Sequence, residues 1–200
     1  MISDRSYKTL TSISEGFYKE KGSKFISYAY PIESAVDVKE KLGELKKQYF
    51  DARHHCFAFI LNANKQVTTR ANDDGEPGHS AGDPILGQIK SFELENVLVV
   101  VVRYFGGTKL GVSGLIHAYK TAAEDALANA KIKTIVVKQC VEITYPYNKT
   151  NEVMRLAAEF EIEIKEHIFE ADCLIIGELL PSRVQMLKDK LALLPLVKVK

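Results

Sequence analysis

Two hundred residues, 46% of them apolar, suffice for one large domain or two small ones with a real core. The net charge of +1 excludes a polyanion binder that works by bulk charge: 18 basic and 16 acidic residues precede the cut at Thr134, leaving 9 and 10 of the totals beyond it. Cys56, Cys140 and Cys173 form no CxxC pair and no apolar run nears the roughly 20 residues of a helical span, which argues against a disulfide framework, a zinc knuckle and a membrane helix.

In chain order, Thr9–Gly16 and Lys24–Tyr30 read as strands around a turn at Lys21-Gly22-Ser23. Ser34 is placed to cap a helix running to about Gln48, with Val36, Val38, Leu42, Leu45 and Tyr49 as an imperfect apolar stripe. Cys56–Leu61 is a short apolar strand, Asn62-Ala63-Asn64-Lys65 has turn chemistry, and Gln66–Arg70 returns as its partner. Ala71–Pro84 is a long Gly-, Asp- and Pro-containing loop, of the kind that carries function in a compact domain. A short helix over Ile85–Ser91 follows. Val97–Val102 is a β-branched and aliphatic run suited to a buried strand. A helix over about Gly111–Ala130 comes next, its apolar face holding Leu115, Ile116, Tyr119, Ala122, Ala123, Ala126 and Leu127, and its polar face Ser113, His117, Lys120 and Glu124.

A boundary falls at Lys131–Lys138, giving domains 1–134 and 135–200. Beyond it the pattern is compact: strand Gln139–Tyr145, helix Tyr147–Phe160, strands Glu161–Phe169 and Ala171–Leu180, a helix from Pro181 or Ser182 to about Leu194, and strand Leu196–Val199. The order βαββαβ is that of a ferredoxin-like split βαβ unit, so the fold class is α+β in both parts. The strand Glu161–Phe169 has one wet face of mixed charge.

Three motifs stand out. Arg103-Tyr104-Phe105-Gly106-Gly107 precedes Leu110-Gly111 and Gly114-Leu115; Asp73-Asp74-Gly75-Glu76-Pro77 precedes Ala81-Gly82 and Pro84; and His55-Cys56-Phe57-Ala58 opens a strand. In their order along the chain, over roughly residues 10–130, they resemble the signature of the YigZ/IMPACT family, and the C-terminal part resembles the second domain of its bacterial members. His79 stands where the family usually has a glycine, and Ser113 and His117 where Gly and a basic residue are usual. The resemblance implies a first domain like ribosomal protein S5 domain 2 and a last domain like that of elongation factor G. It also implies a link to translation, since eukaryotic relatives regulate translation through a Gcn2-pathway protein contact.

The residues themselves offer the following chemistry. A strand, the Gly106-Gly107 turn and a helix start, with Arg103 and Lys109 on either side of the turn, make a backbone cradle for a phosphate-type anion. No GxxxxGK[ST] is present, so this is not the usual nucleotide loop. The loop carboxylates Asp74 and Glu76 are expected to share one cleft with Arg103, Gly106, Gly107 and Lys109, and His54 to face the same loop. These carboxylates have no recognised metal spacing, so neither a metal nor a cofactor is expected. His55 and Cys56 are neighbours on a strand and point to opposite faces, so they form no nucleophile–base pair by adjacency; Cys56 reads as a core thiol. No catalytic residue is assigned. Lys120 and His117, one helical turn apart, extend a basic patch from Arg103 and Lys109.

Two functional readings follow. One is a cytoplasmic, non-enzymatic binding protein of translation regulation, contacting RNA, the ribosome or a translation factor through Arg103, Lys109 and Lys120, with weak, salt-sensitive binding and no membrane partner. The alternative is a small enzyme acting on a phosphorylated ligand between the acidic loop and the Gly106-Gly107 turn.

Overall fold

The computed structural model describes residues 4–63, 66–170 and 172–200. Asn64 and Lys65 of the expected turn, and Ala171 at the head of an expected strand, lie outside the described residues. The chain divides into two compact units, Tyr7–Ile135, and Val136–Lys200 together with Asp4, Arg5 and Ser6.

The first unit is an antiparallel five-stranded sheet between helices. Its strands are β2 (Ser14–Glu20), β3 (Ser23–Pro31), β4 (His54–Ala63), β5 (Gln66–Asn72) and β6 (Val97–Tyr104), in the order β2-β3-β6-β4-β5. The Val97–Val102 run lies on the central strand, flanked by β3 and β4 and buried on both faces, which is why it lacks polar alternation. Val97, Val99 and Val101 face α2 (Gly82–Ser91) and α3 (Gly111–Ala128), with Ile85, Ile89, Ala118 and Ala122 in one core cluster. Leu98 and Val100 face α1 (Ala35–Gln48), with Val38 and Leu45 in another. Ser34 caps α1: its hydroxyl accepts from the Asp37 N–H, while the Asp37 carboxylate accepts from the Ser34 N–H, a reciprocal capping box.

Two sequence expectations are corrected here. The single strand expected over Thr9–Gly16 is two, β1 (Ser6–Leu10) and the start of β2. β1 pairs with β7 (Ile132–Val136), inside the segment read as a domain boundary. The helix expected from Ile85 begins three residues earlier, at Gly82, because a side chain from the preceding loop supplies its cap, as described below.

The second unit has the connectivity βαββαβ: β8 (Gln139–Pro146), α4 (Thr150–Glu159), β9 (Glu163–Ile168), β10 (Asp172–Leu179), α5 (Pro181–Leu191) and β11 (Lys198–Val199), with strand order β11-β8-β10-β9. Val141, Ile143 and Tyr145 of β8 and Cys173, Ile175 and Leu179 of β10 alternate onto one face and meet Val153, Leu156, Leu187 and Leu191 of the two helices. The opposite face of the sheet carries Glu142, Thr144 and Glu178.

Candidate functional site

One end of the five-stranded sheet gathers the chemistry. β4 starts there with His54 opposite Arg103 at the end of β6, and β5 ends there in the loop after Asn72. The three acidic residues that open this loop each turn inward. Asp73 accepts from the N–H groups of Ala81 (2.9 Å), Gly82 (2.8 Å) and His79 (2.9 Å), so it caps α2 from nine residues away. Burial alone would raise the Asp73 pKa, but these three donors outweigh it and hold the carboxyl below its ordinary value. Asp74 accepts from the His55 N–H at 2.8 Å, and its carbonyl lies 2.9 Å from His54 Nδ1. Asp74 and Gly75 both have positive φ, 40° and 88°, which folds the loop back on β4. His79 also has positive φ, 63°, the backbone a glycine adopts without steric cost; its ring reaches Asp83 at 2.6 Å.

Glu76 goes deepest. Its Oε1 accepts from Arg103 Nη1 at 2.5 Å and from the Tyr119 hydroxyl at 2.8 Å, and the two charged side chains are only 4% and 8% exposed. Tyr119 in turn accepts from the Cys56 thiol at 3.3 Å, and the same thiol lies 2.9 Å from the Asp73 carbonyl. Burial drives the ionisation of both Cys56 and Tyr119 far above the ordinary range, so neither supplies a thiolate or phenolate near neutral pH. Burial also lowers the His55 pKa, which favours a neutral imidazole. The guanidinium of Arg103 sits 5.5 Å from the Phe25 ring centre and 5.8 Å from that of Phe105, and its Nε has no acceptor among the described residues.

Two clefts flank Arg103 and Phe105. The first, about 380 Å³, runs from Glu76 and Pro77 past Phe105 and Lys109 to Gly111 and Leu115 on the first turn and a half of α3. The second, about 390 Å³, is lined by Asp51, Arg53, His54 and Tyr104 on the other side of the same two residues. The structure thus brings Glu76, Arg103 and Lys109 to one cleft and puts His54 on the neighbouring one. Asp74 lines neither, because it is held against β4. Lys120 lies exposed further along α3 and lines neither.

The glycine turn is built differently from the cradle expected of it. Gly106 packs backbone to backbone on the β2–β3 turn, where an added Cβ would come within 1.9 Å of the Gly22 carbonyl carbon. Its N–H already donates to Ser23 Oγ at 3.1 Å. Gly107 supplies a φ of 89°. The basic patch is also smaller than the sequence suggests. Arg103 is neutralised by Glu76 and buried, so of the residues expected in the patch Lys109 and Lys120 present the lysine charges, and the His117 ring stands edge-on to Tyr18.

Sequence reasoning missed Phe105 and Tyr119 as parts of the site. Tyr119 was legible only as a core residue of an apolar helix face, yet a buried tyrosine hydroxyl needs a partner, and that requirement is the available signal. Phe105, 58% exposed beside a buried strand, carries the same kind of clue.

A model of the Impact N-terminal domain matches residues 21–127. An IMPACT family member from Haemophilus influenzae is 31% identical to this chain over 159 residues, covering 78% of this chain and 77% of that protein. IMPACT family member YigZ from Escherichia coli is 28% identical over 173 residues, covering 86% of this chain and 85% of that protein. A crystal structure described as that of a hypothetical protein matches with a TM-score of 0.73 at 24% identity, over 99% of this chain and 97% of that one, so the two share a fold.

Proposed function

The chain belongs to the IMPACT family, and from that premise we propose that it is a non-enzymatic binding protein of translation regulation, contacting RNA, the ribosome or a translation factor. The observation that supports this reading most is the use made of the reactive side chains. Cys56, Tyr119, Glu76 and Arg103 form one buried hydrogen-bonded chain whose ionisable members hold each other and the loop in place. Lys109 and Lys120 stand outside it, available to a partner. The link to translation that the family resemblance implies gives the reading its context.

The test is co-sedimentation of the chain with ribosomes, and filter binding to structured RNA, over a salt series. Two lysines meeting one phosphate each give a slope of about 2 in log–log form, at ~0.9 per phosphate. Lys109→Ala with Lys120→Ala is expected to flatten that slope by about the same amount. Because both side chains lie on the surface, thermal unfolding of the double variant should match the parent. Wild-type chain that binds neither ribosome nor RNA at low salt rejects the nucleic-acid and ribosome arms and leaves a translation factor as the partner.

A further inference from the structure

Helix α1 covers only part of its face of the five-stranded sheet. The core cluster beneath it draws on β3, β4 and β6, and among the described residues none of β2 belongs to it. A groove of about 500 Å³ is left there, lined by Ile13, by Glu15 on β2, by Tyr28 and Tyr30 on β3, and by Lys41 and Glu44 on α1. Lys41 Nζ lies 3.2 and 3.0 Å from the two Glu44 carboxylate oxygens, which neutralises that residue. Glu15, exposed and opposite Tyr28 in the strand register, joins no ion pair, and its carboxylate accepts no hydrogen bond among the described residues. The groove therefore keeps one uncompensated negative charge. A second, separate feature points to the same ligand chemistry. Tyr30 is only 8% exposed, yet its hydroxyl has no hydrogen-bond partner among the described residues, whereas the neighbouring Tyr28 hydroxyl is paired with that of Tyr49. A largely buried hydroxyl without a partner costs free energy until something pairs with it. Burial first, then the charges of Glu44 and Glu15, push the Tyr30 pKa up to about 12, so the group stays an O–H near neutral pH and both carboxylates lie within electrostatic reach of it.

We propose that this groove binds an arginine side chain presented by a protein partner. The inference rests on the protein-contact arm of the reading above and names the group that a partner inserts. An unpaired carboxylate beside an unpartnered tyrosine hydroxyl calls for a cation that carries several N–H donors. A guanidinium holds its donors in one rigid plane, so it can donate to Glu15 and to the Tyr30 hydroxyl at once. It is also more weakly hydrated than an ammonium, which suits a site floored by two tyrosine rings. Those rings, stacked with their centres 6.2 Å apart, and Ile13 give the aliphatic stem of an arginine an apolar bed. A phosphate backbone would meet the carboxylates of Glu15 and Glu44 and be repelled.

The experiment is an amide-nitrogen NMR titration of the full chain with four probes: N-acetyl-arginine N-methylamide, its neutral isostere N-acetyl-citrulline N-methylamide, N-acetyl-lysine N-methylamide and free arginine. The capped arginine is expected to shift the backbone amides of Glu15, Tyr28, Tyr30 and Glu44, and to bind more tightly than the capped lysine or the free amino acid. The citrulline probe should bind about tenfold more weakly, and Glu15→Gln should weaken the capped arginine by a similar factor, the size of one charge-assisted hydrogen bond. Tyr30→Phe should weaken it about fivefold and leave the urea midpoint in place, because the hydroxyl it removes bonds nothing inside the protein. Lys109→Gln should leave the titration unchanged. Equal binding of the arginine and citrulline probes overturns the proposal, as does tighter binding of lysine or free arginine, shifts confined to other parts of the chain, or a lowered urea midpoint for Tyr30→Phe. Ribosome co-sedimentation and RNA binding are tested through Lys109 and Lys120, outside this groove, so loss of the groove assignment leaves the binding reading standing, and the reverse.

Discussion

The two units of this chain fill their interiors differently. The core of Tyr7–Ile135 encloses Ser23, Ser27, His55, Ser80, Gln88 and Arg103, while the core of Val136–Lys200 is made of Val, Ile, Leu and Ala with Phe160, Tyr145 and Cys173. Buried polar groups are tolerated only when hydrogen-bonded, and each partner then fixes a position. In the first unit those partners are of several kinds: Ser27 donates to the Ala122 carbonyl inside α3, Ser80 donates to the Pro77 carbonyl of the loop before α2, and Asp73, Asp74 and Glu76 hold that loop. Among the described residues, the second unit connects its elements by short turns and has no such loop to hold. Polar interior and long loop thus occur together, on the unit that carries both clefts.

The sharpest way to break this contrast is to cut the Arg103–Glu76 pair. Removing one member of a buried ion pair leaves an uncompensated charge, so Arg103→Met is expected to lower stability by roughly 3–5 kcal/mol. Adding Glu76→Gln removes the stranded charge and keeps an acceptor for Tyr119, and should restore at least half of that loss. Urea unfolding midpoints check both. Thiol labelling of the native chain adds a local readout: Cys140 is exposed, whereas Cys56 is buried in the first unit and Cys173 in the second. Arg103→Met should speed labelling of Cys56 and leave Cys173 alone. A cost under about 1 kcal/mol for Arg103→Met would mean that the network does not hold the loop.

The apolar unit gives the mirror test. Leu187 of α5 is fully buried among the strands of that sheet. Leu187→Ala should cost about 3 kcal/mol, within the usual range for a buried leucine. We propose that the two units open separately. On that proposal Leu187→Ala speeds labelling of Cys173 and not of Cys56, and faster labelling of both would show one cooperative core.

How far the sequence reached follows the same division. The βαββαβ order was readable because each element of the second unit shows its own period, as in the alternation of Val141, Ile143 and Tyr145. In the first unit Ser34 was readable as a cap because its partner, Asp37, is three residues away. What was not readable depends on distant partners. Ile132–Val136 looks like a linker until β1, more than 120 residues earlier, pairs with it. The early start of α2 needs Asp73, nine residues before it. For the candidate site, the motifs named the loops that border the first cleft, and the structure divides their residues between those that hold the fold and those that face a cleft.

The smallest expected effect, and the one that isolates charge from shape, is at Asp73. Its carboxylate accepts three N–H groups at the start of α2, two on Oδ1 and one on Oδ2. Asn keeps one acceptor oxygen and loses the charge, so Asp73→Asn should cost about 1–2 kcal/mol at neutral pH, the range for loss of a helix cap. The sign of the pH dependence follows from the depressed pKa of this carboxyl. A group whose pKa is lower folded than unfolded contributes stability that is complete above its unfolded value, about 3.9 for an aspartate, and that is lost as pH falls through the folded value. The parent chain should therefore lose its advantage over Asp73→Asn as the pH drops below about 4, and the two urea midpoints should converge there. Should the gap between them stay constant from neutral to acid pH, the cap acts through the shape of the side chain and not through its charge. The loop would then be held chiefly by Glu76 and Arg103.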